Sequence, residues 1–253
     1  MSNTEKIIKP HGMSSEKASR IKNRGHNKEH LLAGLIGGEV IKGTNKLDVK
    51  DKKGKLYTVK GGSEIKGKEG RDGRWQLFMY KKSRFESEKD YPARKIFMNI
   101  LDIFPKNKQD YDSNPDPIKE QVKKPMKKLK KYLSKKKNMS KFFNKSMFNN
   151  KIDYLAIYHD DVFHIFSKED VLNTFENCFK VINNSTYQKV VFSYNNKIAI
   201  EIEVRKTEGK YPSILLITTK KIIFNILSNH IKKMNKVTRN LYVYGNAIKT
   251  FSL

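Results

Sequence analysis

Asp48 and Lys60 flank a tight turn in the stretch Lys46-Leu-Asp-Val-Lys-Asp-Lys-Lys-Gly-Lys-Leu-Tyr-Thr-Val-Lys60. A carboxylate that faces an ammonium group across two short strands has a defined chemical use. The carboxylate holds a divalent cation, and the ammonium orients a water and a phosphate oxygen beside it, which together is what hydrolysis of a phosphodiester requires. Two registers are open. Asp48 with Thr58-Val59-Lys60 is one; Asp48 with Glu64-Ile65-Lys66 is the other, and only the second has the order Asp, then acid, any residue, Lys. A turn centred on Lys53-Gly54 puts Asp48 opposite Val59 and points Thr58 and Lys60 to the same face as each other. Pairing Asp48 with Glu64 centres the turn near Leu56, inside the best strand-forming run, so Lys60 is preferred.

Thr58 then stands where an acid is wanted, and a hydroxyl holds magnesium less well than a carboxylate does. A second acid has to come from elsewhere. Glu29 is the first candidate, because it lies three residues before Leu32 and seven before Ile36 on a helical pattern. Glu64 is the reserve. An acid near a helix start is also favoured by the helix dipole alone, so Glu29 has a purely structural reading as well.

The positioning elements follow from spacing. Asn27 can cap a helix that carries Leu31, Leu32, Leu35 and Ile36 and stops at Gly37-Gly38. Glu39–Lys42, Lys46–Lys50 and Leu56–Lys60 are strand-length, and residues 61–74 form a glycine-rich loop. Trp75–Tyr80 starts a buried segment, and Ala93–Phe104 reads as a helix ending at Pro105. Twelve lysines fall between Lys119 and Lys145, interleaved with Leu129, Tyr132, Leu133, Phe142 and Phe143, which reads as a basic helical excursion or a solvated surface helix. Hairpins are expected around His159-Asp-Asp and Tyr194-Asn-Asn. Lys168–Phe179 and Lys220–Lys236 are helical by spacing, and Ser213–Thr219 is a strand. The organisation implied is a basic arm at 1–25, a catalytic core at 26–105, the lysine-rich segment at 106–150 and a second sheet-forming half at 151–253.

Composition limits the partners. Fifty-three Lys and Arg against 26 Asp and Glu leave a formal charge of +27, a field that favours a polyanion. Biased base composition raises Lys, Asn and Ile everywhere, but it rarely leaves acids this scarce. The one cysteine, Cys178, excludes an internal disulfide and any multi-thiolate zinc site. The scattered histidines complete no zinc set. No signal peptide and no run of membrane-spanning length is visible, so a cytoplasmic setting with no membrane partner is expected.

The run Arg24-Gly-His-Asn-Lys-Glu29, Gly37-Gly-Glu-Val-Ile-Lys-Gly-Thr-Asn-Lys-Leu-Asp48, Tyr57-Thr-Val-Lys-Gly-Gly62 and Trp75-Gln-Leu-Phe-Met-Tyr80 resembles type II restriction endonucleases of the PD-(D/E)XK superfamily. Gln76 and Tyr80 match a Gln-x-x-x-Tyr element of several such nucleases, and Glu201-Ile-Glu-Val-Arg205 resembles their carboxy-terminal halves. The resemblance implies an α/β, restriction-endonuclease-like core with a mixed central sheet flanked by helices, Mg2+ dependence, and cleavage of double-stranded DNA at a short sequence to leave a 5′-phosphate. It implies that Asp48 binds metal, that Lys60 orients water and scissile phosphate, that the Val59 carbonyl completes the metal shell and that Glu29 assists. It further implies a cognate DNA methyltransferase as functional partner. A homodimer follows if the target is palindromic.

Lys123, Lys127, Lys130 and Lys131 suit phosphate contacts, which give affinity without sequence discrimination. Arg205, beside Glu201 and Glu203, can read base edges, although a solvated strand face with cross-strand ion pairs explains those three residues equally simply. The rival functions are a non-catalytic nucleic-acid-binding protein, with Asp48 and Lys60 as an ordinary ion pair, and a repair or recombination nuclease.

Overall fold

β-branched and aromatic runs, punctuated by Gly, Asn and Asp turns, build two sheets in the computed structural model, which describes residues 15–41, 46–61 and 74–251. In chain order the elements are α1 (Ser15–Ile36), β1 (Glu39–Val40), β2 (Val49–Lys50), β3 (Leu56–Lys60), β4 (Arg74–Tyr80), α2 (Lys82–Ser87), α3 (Arg94–Asp102), α4 (Lys108–Ser113), α5 (Pro115–Leu133), α6 (Lys136–Phe148), β5 (Tyr154–His159), β6 (Val162–Ser167), α7 (Lys168–Cys178), β7 (Lys180–Asn183), β8 (Val190–Tyr194), β9 (Lys197–Arg205), β10 (Ser213–Thr219), α8 (Lys220–His230), β11 (Met234–Thr238), β12 (Leu241–Tyr244) and α9 (Ala247–Thr250). One sheet has seven strands in the order β1-β2-β3-β5-β6-β12-β11, and the other five in the order β4-β10-β9-β8-β7. The larger sheet is mixed, since β3 runs parallel to β5 and β6 parallel to β12 while its other pairs are antiparallel. The fold is therefore α/β with a mixed sheet flanked by helices, as expected.

Strand pairing joins the part expected as a catalytic core, 26–105, to the expected second half, 151–253. Residues 39–60 share a sheet with 154–167 and 234–244, while 74–80 pair with 213–219. Of the expected basic arm, residues 1–14 lie outside the described residues, and from Ser15 the chain is already helical, so α1 starts well before Asn27. It ends as the glycines require. Gly37 adopts φ 61°, and the Gly38 amide donates to the Ala33 carbonyl at 2.8 Å, closing the last turn.

Period-2 alternation gives the larger sheet two different faces. Tyr57, Val59, Tyr154 and Ala156 pack with Leu32, Ala33 and Ile36 of α1 in a small outer core. Leu155, Ile157 and Phe166 turn the other way, into a larger inner core shared with the five-stranded sheet. Leu31, expected among the core-facing leucines, is 43% exposed, because Leu32 and Ile36 define the buried stripe and Leu31 lies beside it.

The lysine-rich segment is not an excursion. Helices α5 and α6 bury Val122, Met126, Leu129, Leu133, Met139, Phe142, Phe143 and Phe148 in the inner core, and α6 packs against α7. The lysines occupy the remaining positions, so the segment is amphipathic, with Lys124, Lys127, Lys128 and Lys131 on its exposed side. The expected helix over Lys220–Lys236 stops at His230, and Met234–Thr238 instead pairs with β12 as an edge strand. In β9 the alternation breaks: Phe192 pairs with Ile200 and Ser193 with Ile198, leaving Ala199 as the extra residue. Ala199 is thereby turned inward and Ile198 left 54% exposed, the reverse of the simple pattern.

If α5 and α6 are core elements, truncating Phe143 will cost about 3–5 kcal/mol, whereas Lys124→Ala and Lys128→Ala will stay within about 0.5 kcal/mol. Urea unfolding midpoints of the three variants check this.

Candidate active site

The hairpin that carries Asp48 is organised by a second aspartate. Asp51 Oδ1 accepts the amides of Lys53 (2.9 Å) and Lys55 (2.8 Å), Oδ2 accepts the Tyr57 hydroxyl (2.9 Å), and the Gly54 amide closes the turn on the Asp51 carbonyl (3.0 Å). Gly54 takes φ 81°, the left-handed position that completes a three-residue hairpin loop. This loop is one residue away from the expected turn and shifts the register. Val49 pairs with Tyr57 and Lys50 with Leu56, which brings Asp48 level with Thr58 instead of Val59. The difference decides the site, because a one-residue slip moves a side chain to the other face of a sheet. In the observed register Asp48, Thr58 and Lys60 share the inner face.

The contacts bear this out. Asp48 Oδ2 accepts the Val59 amide at 2.6 Å and the Thr58 hydroxyl at 3.2 Å, and lies 3.6 Å from Lys60 Nζ. The ammonium of Lys60 also donates to the Val59 carbonyl at 3.2 Å and sits 6.0 Å from the Trp75 ring. The ammonium thus stands between two oxygens, Asp48 Oδ2 and Val59 O, that converge on a positive charge. Both side chains are largely withdrawn from water, 17% exposed for Asp48 and 22% for Lys60, so their interaction is screened less than that of a surface pair. Asp153 holds β3 in place from the other side: its Oδ2 accepts the Leu56 amide (2.9 Å) and Oδ1 the Lys55 ammonium (3.3 Å). Gly61 is needed next, since a Cβ there would come within 2.5 Å of the Lys28 side chain on α1.

The other expected site residues are placed differently. Glu29 Oε2 bonds His26 Nδ1 at 2.9 Å, and the α1 face it shares with Leu32 and Ile36 packs on the outer side of the sheet, away from Thr58 and Lys60. Glu64 and Lys66 lie outside the described residues. Glu201 and Glu203 are both engaged by Lys189, at 3.0 Å and 2.6 Å, so the β9 face is a cross-strand ion-pair cluster with Arg205 exposed at its end. Lys123 pairs with Glu120, and Lys127 lies over the Tyr187 ring at 4.5 Å, while Lys130 and Lys131 extend the outer side of α5. His159-Asp-Asp is a hairpin turn, with Asp160 and Asp161 at φ 48° and 60°.

Among the described residues no three His, Cys, Asp or Glu side chains gather as a metal site. Magnesium does not need such a cage. It is commonly held by one or two carboxylates plus substrate phosphates and water, and Asp48 with the Val59 carbonyl meets that minimum. The fit rests on the two oxygens already sharing one cation, the Lys60 ammonium.

One residue that sequence reasoning passed over is Lys46. Its ammonium nitrogen is buried without a hydrogen-bond partner among the described residues, 5.3 Å from the Phe78 ring and 5.5 Å from that of Tyr80. Burial, then the nearby positive charge of Lys60, push its pKa down to about 7. Within the sequence it was one lysine among many, and its position two residues before Asp48 was the available signal.

Because the folded pKa is lowered from 10.5 to about 7, the unfolded chain binds more protons between those values, and stability rises with pH across that window. Below about pH 7 the penalty is present in full. Urea unfolding of the wild type at pH 7 and pH 9.5 will show the rise attributable to this group, and Lys46→Met will lose it. No family model, no curated protein and no solved structure matches this chain.

Proposed function

We propose that this chain is a Mg2+-dependent endonuclease that hydrolyses phosphodiester bonds in double-stranded DNA. The observation that carries the reading is the Lys60 ammonium held 3.6 Å from Asp48 Oδ2 and 3.2 Å from the Val59 carbonyl on the sheltered face of a hairpin. Asp48 and the Val59 carbonyl are the groups that would hold the metal. When bound, the metal supplies positive charge for the phosphate and lowers the pKa of a water.

The chain's own residues do the rest. The Val59 amide and Thr58 hydroxyl fix the Asp48 carboxylate by donating to it, so it is oriented before any ligand arrives. Lys60 donates hydrogen bonds that would orient a phosphate oxygen and the attacking water, from a stem anchored in the strand. The excess of 27 positive charges draws the polyanion in. The exposed lysines of α5, among them Lys127 and Lys131, suit phosphate contacts along the duplex.

The resemblance to type II restriction endonucleases favours site-specific cutting, with a protecting methyltransferase as functional partner and the cytoplasm as the setting. A two-fold dimer would match a palindromic target. Among the described residues no helix is long and apolar enough to cross a membrane. The second reading, binding without catalysis, draws on the same charge and treats Asp48 and Lys60 as a structural ion pair.

Plasmid digestion separates these. The wild type with Mg2+ is expected to give discrete fragments with 5′-phosphate ends and to stop in EDTA. Asp48→Ala is expected to abolish cutting while keeping DNA binding, and Lys60→Ala to slow it by about 100-fold or more. Undiminished cleavage by Asp48→Ala rejects the assignment. A smear in place of fragments moves the enzyme to repair or recombination, and no cleavage by the wild type leaves the binding reading.

A further inference from the structure

Next to the Asp48–Lys60 pair lies a cleft of about 390 Å3, walled by Lys46, Phe78, Tyr80, Lys81, Arg84 and Asn149. We propose that this cleft is a phosphate subsite, in which Lys46, with Lys81 and Arg84, holds a backbone phosphate of the nucleic acid adjoining the one at Asp48 and Lys60. That the anion is a nucleic-acid phosphate rests on the proposed nuclease reading; that the cleft lacks an anion does not.

The cleft is positively charged and short of a counterion. The ammonium of Lys46 is buried with no hydrogen-bond acceptor among the described residues, an arrangement that is costly unless something compensates it. The rings of Phe78 and Tyr80 compensate only in part, at distances above 5 Å. Among the described residues the charged groups that act on it are Lys60, Arg84 and Lys145, all cations, and one acid, Glu88. Glu88 is already committed: it pairs with Arg84 and lies 3.5 Å from Lys145. Lys60 is turned to Asp48. Nothing among these neighbours supplies the negative charge that Lys46 lacks.

Phosphate fits the donors better than a carboxylate does. Lys46 lines the cleft with an ammonium that has no acceptor among the described residues, and Arg84, which also pairs with Glu88 and lies 5.4 Å over the Tyr80 ring, presents a planar fork suited to phosphate oxygens. A backbone phosphate also arrives with a neighbour, and the neighbouring site is at hand in Lys60. An unpaired cation is then tolerated in the free protein because the ligand completes it.

The test uses the full chain without divalent metal, so that DNA stays intact. Trace acylation of the wild type, read at Lys46 by peptide mass spectrometry, is run alone, with inorganic phosphate, and with a duplex oligonucleotide lacking terminal phosphates. Saturating duplex is expected to slow labelling of Lys46 at least tenfold. Protection by inorganic phosphate alone, with none from the duplex, makes this a free-anion site and overturns the proposal, as does failure of the duplex to bind.

Lys46→Met is expected to lower the slope of log K against log salt by about one. It should also raise Tm by roughly 2–4 °C, as relief of a buried unpaired charge would in a chain of this size. An unchanged slope, or a lower Tm, means that Lys46 serves packing and sinks the proposal. Protection of Lys46 in a protein that cuts no DNA keeps the subsite and removes the nuclease, while normal cutting with Lys46 unprotected does the reverse.

Discussion

A single carboxylate oxygen, Asp48 Oδ2, takes the Val59 amide, the Thr58 hydroxyl and the Lys60 ammonium into its reach, and the surrounding structure is arranged to make that convergence hold. Charge-assisted hydrogen bonds of this kind are short and about twice as strong as neutral ones. They work only if Asp48 and Thr58 stand level on the same face. The register that puts them there is set by the three-residue loop under Asp51, and the strand is locked from the far side by Asp153 and the parallel pairing of Tyr57 through Lys60 with β5. Gly61 then lets α1 close over the strand end.

Thr58 acquires a reason in this arrangement. It is fully buried beneath Asp48, and an ionised acid in its place would face the Asp48 carboxylate with only Lys60 to offset the repulsion. A hydroxyl instead donates to that carboxylate. The hairpin therefore orients one acid firmly at the cost of lacking a second, which favours a metal held in part by its substrate. Glu29 does not fill the gap in this conformation, since its helix covers the outer face and its carboxylate bonds His26.

The sequence made local chemistry readable and long-range partnership opaque. Paired turn residues marked both hairpins, and Asp160-Asp161 and Asn195-Asn196 do carry the positive φ that such two-residue turns demand. Gly37 marked the helix stop. What failed was whatever depended on a single residue of offset or on a distant partner. The Gly54 loop moved Asp48 by one position, and the irregularity at Ala199 reversed Ile198 and Ala199 while Ile200, Ile202 and Val204 stayed buried. Helices α5 and α6 looked like solvated lysine because their lysine content hides a full apolar stripe, whose partners in the five-stranded sheet lie some sixty residues later. Met234–Lys236 fell within the helical spacing read over Lys220–Lys236, yet β12 offered it an open edge, and pairing outweighed propensity. Asp48 and Lys60 were legible because they belong to one hairpin; Lys46 was not, because its meaning comes from β4 and α2.

That contrast bears on how a chain with so much positive charge stays folded. Most of its lysines sit on exposed faces, where water and salt screen them and each costs little. Lys46 is different, since its neighbours are cations and rings and the one acid nearby is engaged. A core could accommodate a methionine there at no electrostatic cost. The chain instead keeps an ammonium there, two residues from Asp48 and within the electrostatic reach of Lys60. Real proteins break the rules of polar pairing at functional sites and offset the cost elsewhere; if the cleft takes a phosphate as proposed, the unpartnered Lys46 ammonium is such a departure, and the ligand completes it.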